Sequence, residues 1–307
     1  MSFVSNAFIG RNSFIRYFSG IIIIIAASQL VGAIPLLVAV VIKVLDGGQL
    51  DPDNISDLSG LGLSQNLTLV LMLIPFIVGL IAIWLVVKYL HGRTLKQTIT
   101  GRTSFSWKRF FQAAGFWMLL MVLIQFVQYL IAPENFVLDF QPQKFVALVL
   151  ISIILIPLQA AFEEILFRAY LMQGLFVGIR NRWLPLLLTT LLFGGLHVFN
   201  PEVKEFGLAL ALPQYLILGL VLGIATLMDD GLELAIGVHA INNVFLAIFF
   251  TFDASALQTP ALFKIIEIDP LFDLIALALG SAIFILWASK RYKWTNWYSN
   301  LIGKVFL

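Results

Sequence analysis

The sequence predicts an all-α membrane protein, a polytopic bundle of about eight transmembrane helices in a single domain over residues 1–307, with N- and C-termini cytoplasmic. Three observations predict it. Hydrophobic residues make up 60% of the 307 and charged residues only 12%, against about 45–50% and about 25% in soluble domains. Eight apolar runs are long enough to be read as crossings of a hydrocarbon core about 30 Å thick, for which roughly 20 residues suffice. Basic residues fall almost wholly on one set of the intervening loops.

The runs are 17–42, 67–90, 110–132, 145–178, 183–199, 207–228, 231–251 and 271–289. The first follows Arg11 and Arg16 and is too long and uninterrupted for a cleaved signal peptide, so it is expected to be a retained span. The fourth is too long for a simple crossing, which predicts tilt, a kink near Pro157 or an extension past Gly174. The fifth is short. If the N-terminus is cytoplasmic, fourteen of the nineteen Lys and Arg lie on inner segments, around Arg11–Arg16, Lys88–Arg109, Arg180–Arg182 and from Lys290 onward. Lys43, Lys144, Lys204 and Lys264 are outer, and Arg168 is intramembrane. That asymmetry is the positive-inside pattern for an even number of spans. All seven Trp fall toward inner ends of spans or inner loops, where an interfacial belt is expected.

Cysteine is absent, which excludes disulfides, thiolate metal ligands, a Cys nucleophile and acyl or prenyl anchors. The acidic stretch Asp46–Gln65 reads as an outer loop and holds an Asn54-Ile55-Ser56 sequon, with Asn66-Leu67-Thr68 at the membrane edge. The basic stretch His91–Arg109 reads as a topology determinant beside anionic lipid. Gly174-x-x-x-Gly178 and Gly219-x-x-x-Gly223 are read as close packing within the bundle. Nothing suggests nucleic acid as a partner, and the oligomeric state is not legible.

The chemistry concentrates in three spans. Glu163-Glu164-Ile165-Leu166-Phe167-Arg168 puts three charges inside an apolar helix, each costing roughly 2.5–3.5 kcal/mol at a helix centre unless it pairs, reaches water or reacts. Glu164 and Arg168 are i,i+4 in the favourable orientation for an ion pair. Glu163 points about 100° away, toward Phe167, as a desolvated carboxylate suited to act as a general base. Phe193-Gly194-Gly195-Leu196-His197 lies in the fifth span and His239-Ala240-Ile241-Asn242-Asn243 in the seventh. At 1.5 Å per residue, Glu163 and His197 lie roughly 20 Å, and His239 about 12 Å, from the inner ends of their spans. A shared pocket opening to the cytoplasmic side and laterally between helices is therefore expected. Two His and one Glu would also make an acceptable zinc set with an open position for water.

Glu-Glu-x-x-x-Arg, Phe-x-x-x-His and His-x-x-x-Asn on successive spans resemble the CAAX-protease and bacteriocin-processing (CPBP, or Abi) family of intramembrane proteases, related to the CAAX prenyl endopeptidases. The likeness covers about 144–252, a motif-bearing core. The resemblance implies hydrolysis of a peptide bond in a membrane-associated peptide or protein. Carried over by position, it implies that Glu163 activates water with His197 assisting, that His239 and Asn243 stabilise the tetrahedral intermediate, and that Glu164 and Arg168 support them beside Phe193. The family is described both as a metalloprotease and as a metal-free glutamate protease. No His-Glu-x-x-His occurs, so no cofactor is the expectation, with zinc on Glu163, His197 and His239 as the alternative. The rival function is a membrane scaffold or regulator that keeps the fold without proteolysis; a transporter ranks below it because all the intramembrane charge lies in one half of the chain. A prokaryotic plasma (inner) membrane is the expected location.

Overall fold

In the computed structural model, which describes residues 2–48, 58 and 61–305, helices follow the predicted runs closely. In order they are α1 (Phe14–Ala26), α2 (Ile34–Leu45), α3 (Gln65–Leu85), α4 (Leu95–Ile99), α5 (Trp107–Ile131), α6 (Pro142–Glu164), α7 (Met172–Ile179), α8 (Trp183–Leu196), α9 (Pro201–Phe206), α10 (Leu208–Met228), α11 (Glu233–Phe249), α12 (Pro270–Tyr292) and α13 (Trp297–Leu301). Their boundaries follow from local chemistry. Ser64 caps α3 by accepting from the Leu67 amide, Thr94 and Gln97 form a capping box on α4, and Asp269 caps α12 ahead of Pro270.

Among the described residues six apolar helical runs are long enough to cross a membrane: Phe14–Leu45, Gln65–Leu90, Trp107–Ile131, Pro142–Ile179, Leu208–Met228 and Pro270–Tyr292. The fifth and seventh predicted spans, Trp183–Phe199 and Glu233–Phe249, are shorter. For α11 the physical reason is its environment. It packs against α5 and α6, and twelve of its residues, from Glu233 to Ile248, are buried, so it has no lipid-facing length to match. The exterior of the long helices is apolar, with Phe14, Leu30, Phe111, Ile154 and Leu279 exposed, as a lipid-facing surface requires. The chain is a multi-pass, predominantly helical membrane protein.

Three departures from the sequence reading stand out. A small sheet of order β1-β3-β2 joins β1 (Phe136–Leu138), β3 (Phe263–Ile265) and β2 (Phe250–Thr251); it ends α11 at Phe249 where the sequence ran a span on to 251. The long fourth run is relieved by a π-helical stretch, Ile165–Leu171, directly after Glu164. Such segments insert a residue into the helical ladder and recur at functional sites. Trp117 and Trp294 are buried, so those two are not belt residues. Each donates its indole N–H to a polar partner, Asn242 and Asp229 respectively. The Asn54 sequon and most of the acidic loop lie outside the described residues, while Asn66 donates to the Lys144 carbonyl.

Glycines set the closest approaches. A Cβ at Gly237 would stand 2.4 Å from the Phe110 carbonyl oxygen, and one at Gly223 would stand 2.4 Å from Leu186. Gly219 meets Phe193 and Arg168, and Gly174 faces the Tyr17 ring. The small-residue pairs therefore serve packing inside the chain at three of their four positions, with open space beside Gly178.

Both terminal segments gather at one end of the bundle. The Phe3 amide donates to Asp230, the Val305 amide donates to the Arg180 carbonyl, and Thr100 bridges to Gly231. Arg102 pairs with Asp229 and Glu233 at 3.0 and 3.1 Å, and Arg109 also pairs with Asp229. The acids of the 229–233 turn thus tie down the basic loop. Asp230, with φ 57°, makes that turn tight enough to fold α11 back along α10.

Candidate active site

The three motif-bearing segments converge. α6 brings Gln159, Glu163 and Glu164, α8 brings Phe193 and His197 at its far end, and α11 brings His239, Asn242 and Asn243. Glu163, His197, His239 and Asn243 all line one cavity of about 1170 Å3. His91 is elsewhere, buried between the Arg11 carbonyl and the Tyr170 hydroxyl.

Glu164 and Arg168 form the expected pair, 2.8 Å apart with side chains 0% and 1% exposed. The pair does more than cancel charge. Glu164 Oε1 also accepts from His239 Nδ1 at 2.7 Å, so the carboxylate fixes the orientation of that imidazole. Arg168 donates on to the Gly219 carbonyl at 3.2 Å, and its guanidinium lies 4.1 Å from the centroid of the Phe193 ring. The ring of Phe193 also meets Phe167, His197 and His239. A buried cation, two imidazoles and an aromatic wall are thereby locked together.

Glu163 is held differently. Its Oε1 accepts from Gln159 Nε2 at 2.6 Å, while Oε2 is buried without a hydrogen-bond partner and stands 3.6 Å from His239 Nε2. Because Nδ1 of His239 faces a carboxylate that only accepts, that nitrogen carries a hydrogen. Nε2 faces the second carboxylate, that of Glu163, across 3.6 Å. His197 Nδ1 donates to the Phe193 carbonyl at 2.7 Å, which leaves Nε2 as an acceptor. Its ring stacks on Tyr215, 4.3 Å between centroids.

Several contributors escaped the sequence reading. Gln159 precedes Glu163 by one turn and bridges it to Asn243, whose Nδ2 donates to Gln159 Oε1 at 3.1 Å. Its signal was present in the sequence: a second amide-bearing residue at i−4 on an apolar helix. Asn242, without an assignable role from sequence, receives Trp117 Nε1 at 3.1 Å and donates to Asn243 Oδ1 at 3.1 Å. Tyr215 and Trp117 had no distinguishing local pattern, since an aromatic on an apolar helix is ordinarily packing.

The cavity extends well beyond the site. Beyond the site its lining runs to Gln128 and Asn135, to Phe252 and Ser255–Leu257, and to Glu267–Asp269 with Phe272 and Asp273, all at the end away from the termini. At the end that carries the termini, the partly exposed Arg102 pairs with the buried Asp229 and Glu233, none of which lines the cavity. The expected lateral side has a counterpart in Ile25, Leu192 and Leu196, which line the cavity and are also exposed.

Residues 142–245 match the family described as Type II CAAX prenyl endopeptidase Rce1-like, a stretch that contains the motifs of all three segments. The chain is also 30% identical over 293 residues, covering 92% of its length and 95% of the relative, to the uncharacterized protein YyaK of Bacillus subtilis (strain 168). No solved structure matches the chain. A membrane fold with this site defines the class, and the chain belongs to the Rce1-like family of CAAX-type endopeptidases.

Proposed function

We propose that the chain is an intramembrane endopeptidase of a bacterial plasma membrane that hydrolyses a peptide bond in a membrane-associated peptide or protein, by direct attack of water. The observation that carries this reading is the Glu163 carboxylate. One oxygen is fixed by Gln159 and the other is unpartnered, buried in a cavity and facing an imidazole. A buried acceptor without a partner is costly, and this one lies in the wall of the cavity.

In this mechanism Glu163 Oε2 takes a proton from a water that His197 Nε2 orients as acceptor. The water oxygen attacks the scissile carbonyl. His239, with its Nε2 protonated, and Asn243 donate to the oxyanion as it forms. Glu164 and Arg168 hold His239 in place throughout. Collapse of the intermediate breaks the C–N bond, and Glu163 delivers its proton to the leaving amine. Activity lost on chelation and regained with zinc would instead make Glu163, His197 and His239 ligands.

Comparison of membranes carrying wild type and Glu163→Gln tests the reading. Peptides or proteins that accumulate uncut only in the variant are expected. Identical peptide profiles, with the variant folded and inserted, would favour the non-proteolytic scaffold.

A further inference from the structure

We propose that the substrate reaches Glu163 from the end of the bundle opposite the termini, the extracytoplasmic face by loop charge, and is an extended peptide segment, neutral or cationic, presented outside the cytoplasm. This rests on the endopeptidase reading and adds the side and charge of the substrate.

Three observations carry the proposal. At the end that holds the termini, Arg102 spans Asp229 and Glu233, the latter fully buried, and Trp294 donates to Asp229. None of these residues lines the cavity. At the other end the cavity is continuous with a polar mouth. Gln128 and Asn135 at the end of α5, and Glu267, Asp269 and Asp273 around the start of α12, line the same space as Glu163, and Glu267 and Asp269 are exposed. The described lining also contains five carboxylates, these three with Glu163 and Glu202, and no Lys or Arg. An excess of carboxylates over Lys and Arg along the passage disfavours anionic segments and draws cationic ones.

The side follows from the chain's own charges. Fourteen of nineteen Lys and Arg fall on the segments assigned to the end that holds the termini, which places that end in the cytoplasm. Water and an extended chain therefore have a route to the base from outside, and the exposed apolar residues Ile25, Leu192 and Leu196 leave the cavity wall in contact with lipid for a membrane-bound stretch of the same substrate.

The natural absence of cysteine makes the test direct. Single substitutions Glu267→Cys at the mouth, Gln125→Cys within the cavity and Ser104→Cys on the basic loop are exposed to a membrane-impermeant maleimide, in intact cells and in inside-out vesicles. Asn135→Cys serves as the mouth position if Glu267→Cys fails to insert. The mouth and cavity positions are expected to label several-fold faster in intact cells, and Ser104→Cys several-fold faster in inside-out vesicles. Labelling of the mouth and cavity positions from the cytoplasmic side alone overturns the proposal, as does a cavity position that labels from neither side. Neither result depends on catalysis, so both are distinct from failure of the enzyme reading, which shows as no cleavage difference between wild type and Glu163→Gln. Where that difference exists, the uncut peptides are expected to map to extracytoplasmic segments free of acidic runs; cytoplasmic segments would overturn the proposal.

Discussion

At the scale of single residues the two adjacent glutamates have opposite duties, although they differ by one position in the chain. Glu164 has its Oε1 committed to both Arg168 and His239, so its removal orphans a buried guanidinium and frees an imidazole. Glu164→Ala and Arg168→Ala are expected to lower stability by about 3–5 kcal/mol, as breaking a buried pair does. Glu163→Gln keeps a side chain that can still meet Gln159, and is expected to unfold within about 1 kcal/mol of wild type while losing all cleavage. Thermal unfolding in detergent, read beside a cleavage assay, checks both. Equal melting losses for Glu163→Gln and Arg168→Ala would assign Glu163 to the structural network. The i,i+4 spacing made the Glu164–Arg168 pair legible in advance. The bond from Glu164 to His239 was not, because it joins residues 75 positions apart, and their contact depends on how α6 and α11 pack.

At the scale of elements, the site is assembled where helices are short or irregular. α8 ends at Leu196, directly before His197, the π-helical turn follows Glu164 at once, and α11 is buried along most of its length. Hydropathy located all of these runs, because each is apolar enough to be seen. It overran the end of α11, because Phe250-Thr251-Phe252 is as apolar as a helix end and its pairing partner lies a dozen residues further on. The depth of α11 in the bundle depends on Gly237, against which the Phe110 carbonyl packs. Gly237→Ala is expected to cost about 1–3 kcal/mol as an overpacked contact. It should also reduce cleavage, since His239 lies two residues further along the displaced helix. Rescue is not expected from shortening residues near Phe110, because the clash is with backbone. Unchanged melting and unchanged turnover in Gly237→Ala would show that α11 has slack the packing does not suggest.

At the scale of the whole molecule, the loop charges announced which ends gather together, and the termini do meet at one end; what they could not announce was that the acids of the 229–233 turn would bind the basic loop there while the cavity lining extends toward the other end. His91 is the other fastening there, joining the N-terminal segment, the end of the second span and Tyr170 on the site-bearing helix. Its Nδ1 donates to the Arg11 carbonyl at 2.7 Å, and its Nε2 accepts from the Tyr170 hydroxyl at 2.8 Å, so the neutral ring is fully satisfied. Burial lowers its pKa to about 4 from 6.5, with the Arg11 carbonyl opposing and Arg93 and Arg16 lowering it further. A histidine whose folded pKa lies below its unfolded value binds more protons when unfolded between the two. Its contribution to stability is then complete above pH 6.5 and is lost as the pH falls toward about 4. The melting temperature of the detergent-solubilised protein is accordingly expected to fall across that window. His91→Gln, which cannot titrate there, should show a shallower slope while sharing the contributions of every other group. Parallel slopes for the two proteins would mean that His91 is not the group through which acid loosens that end.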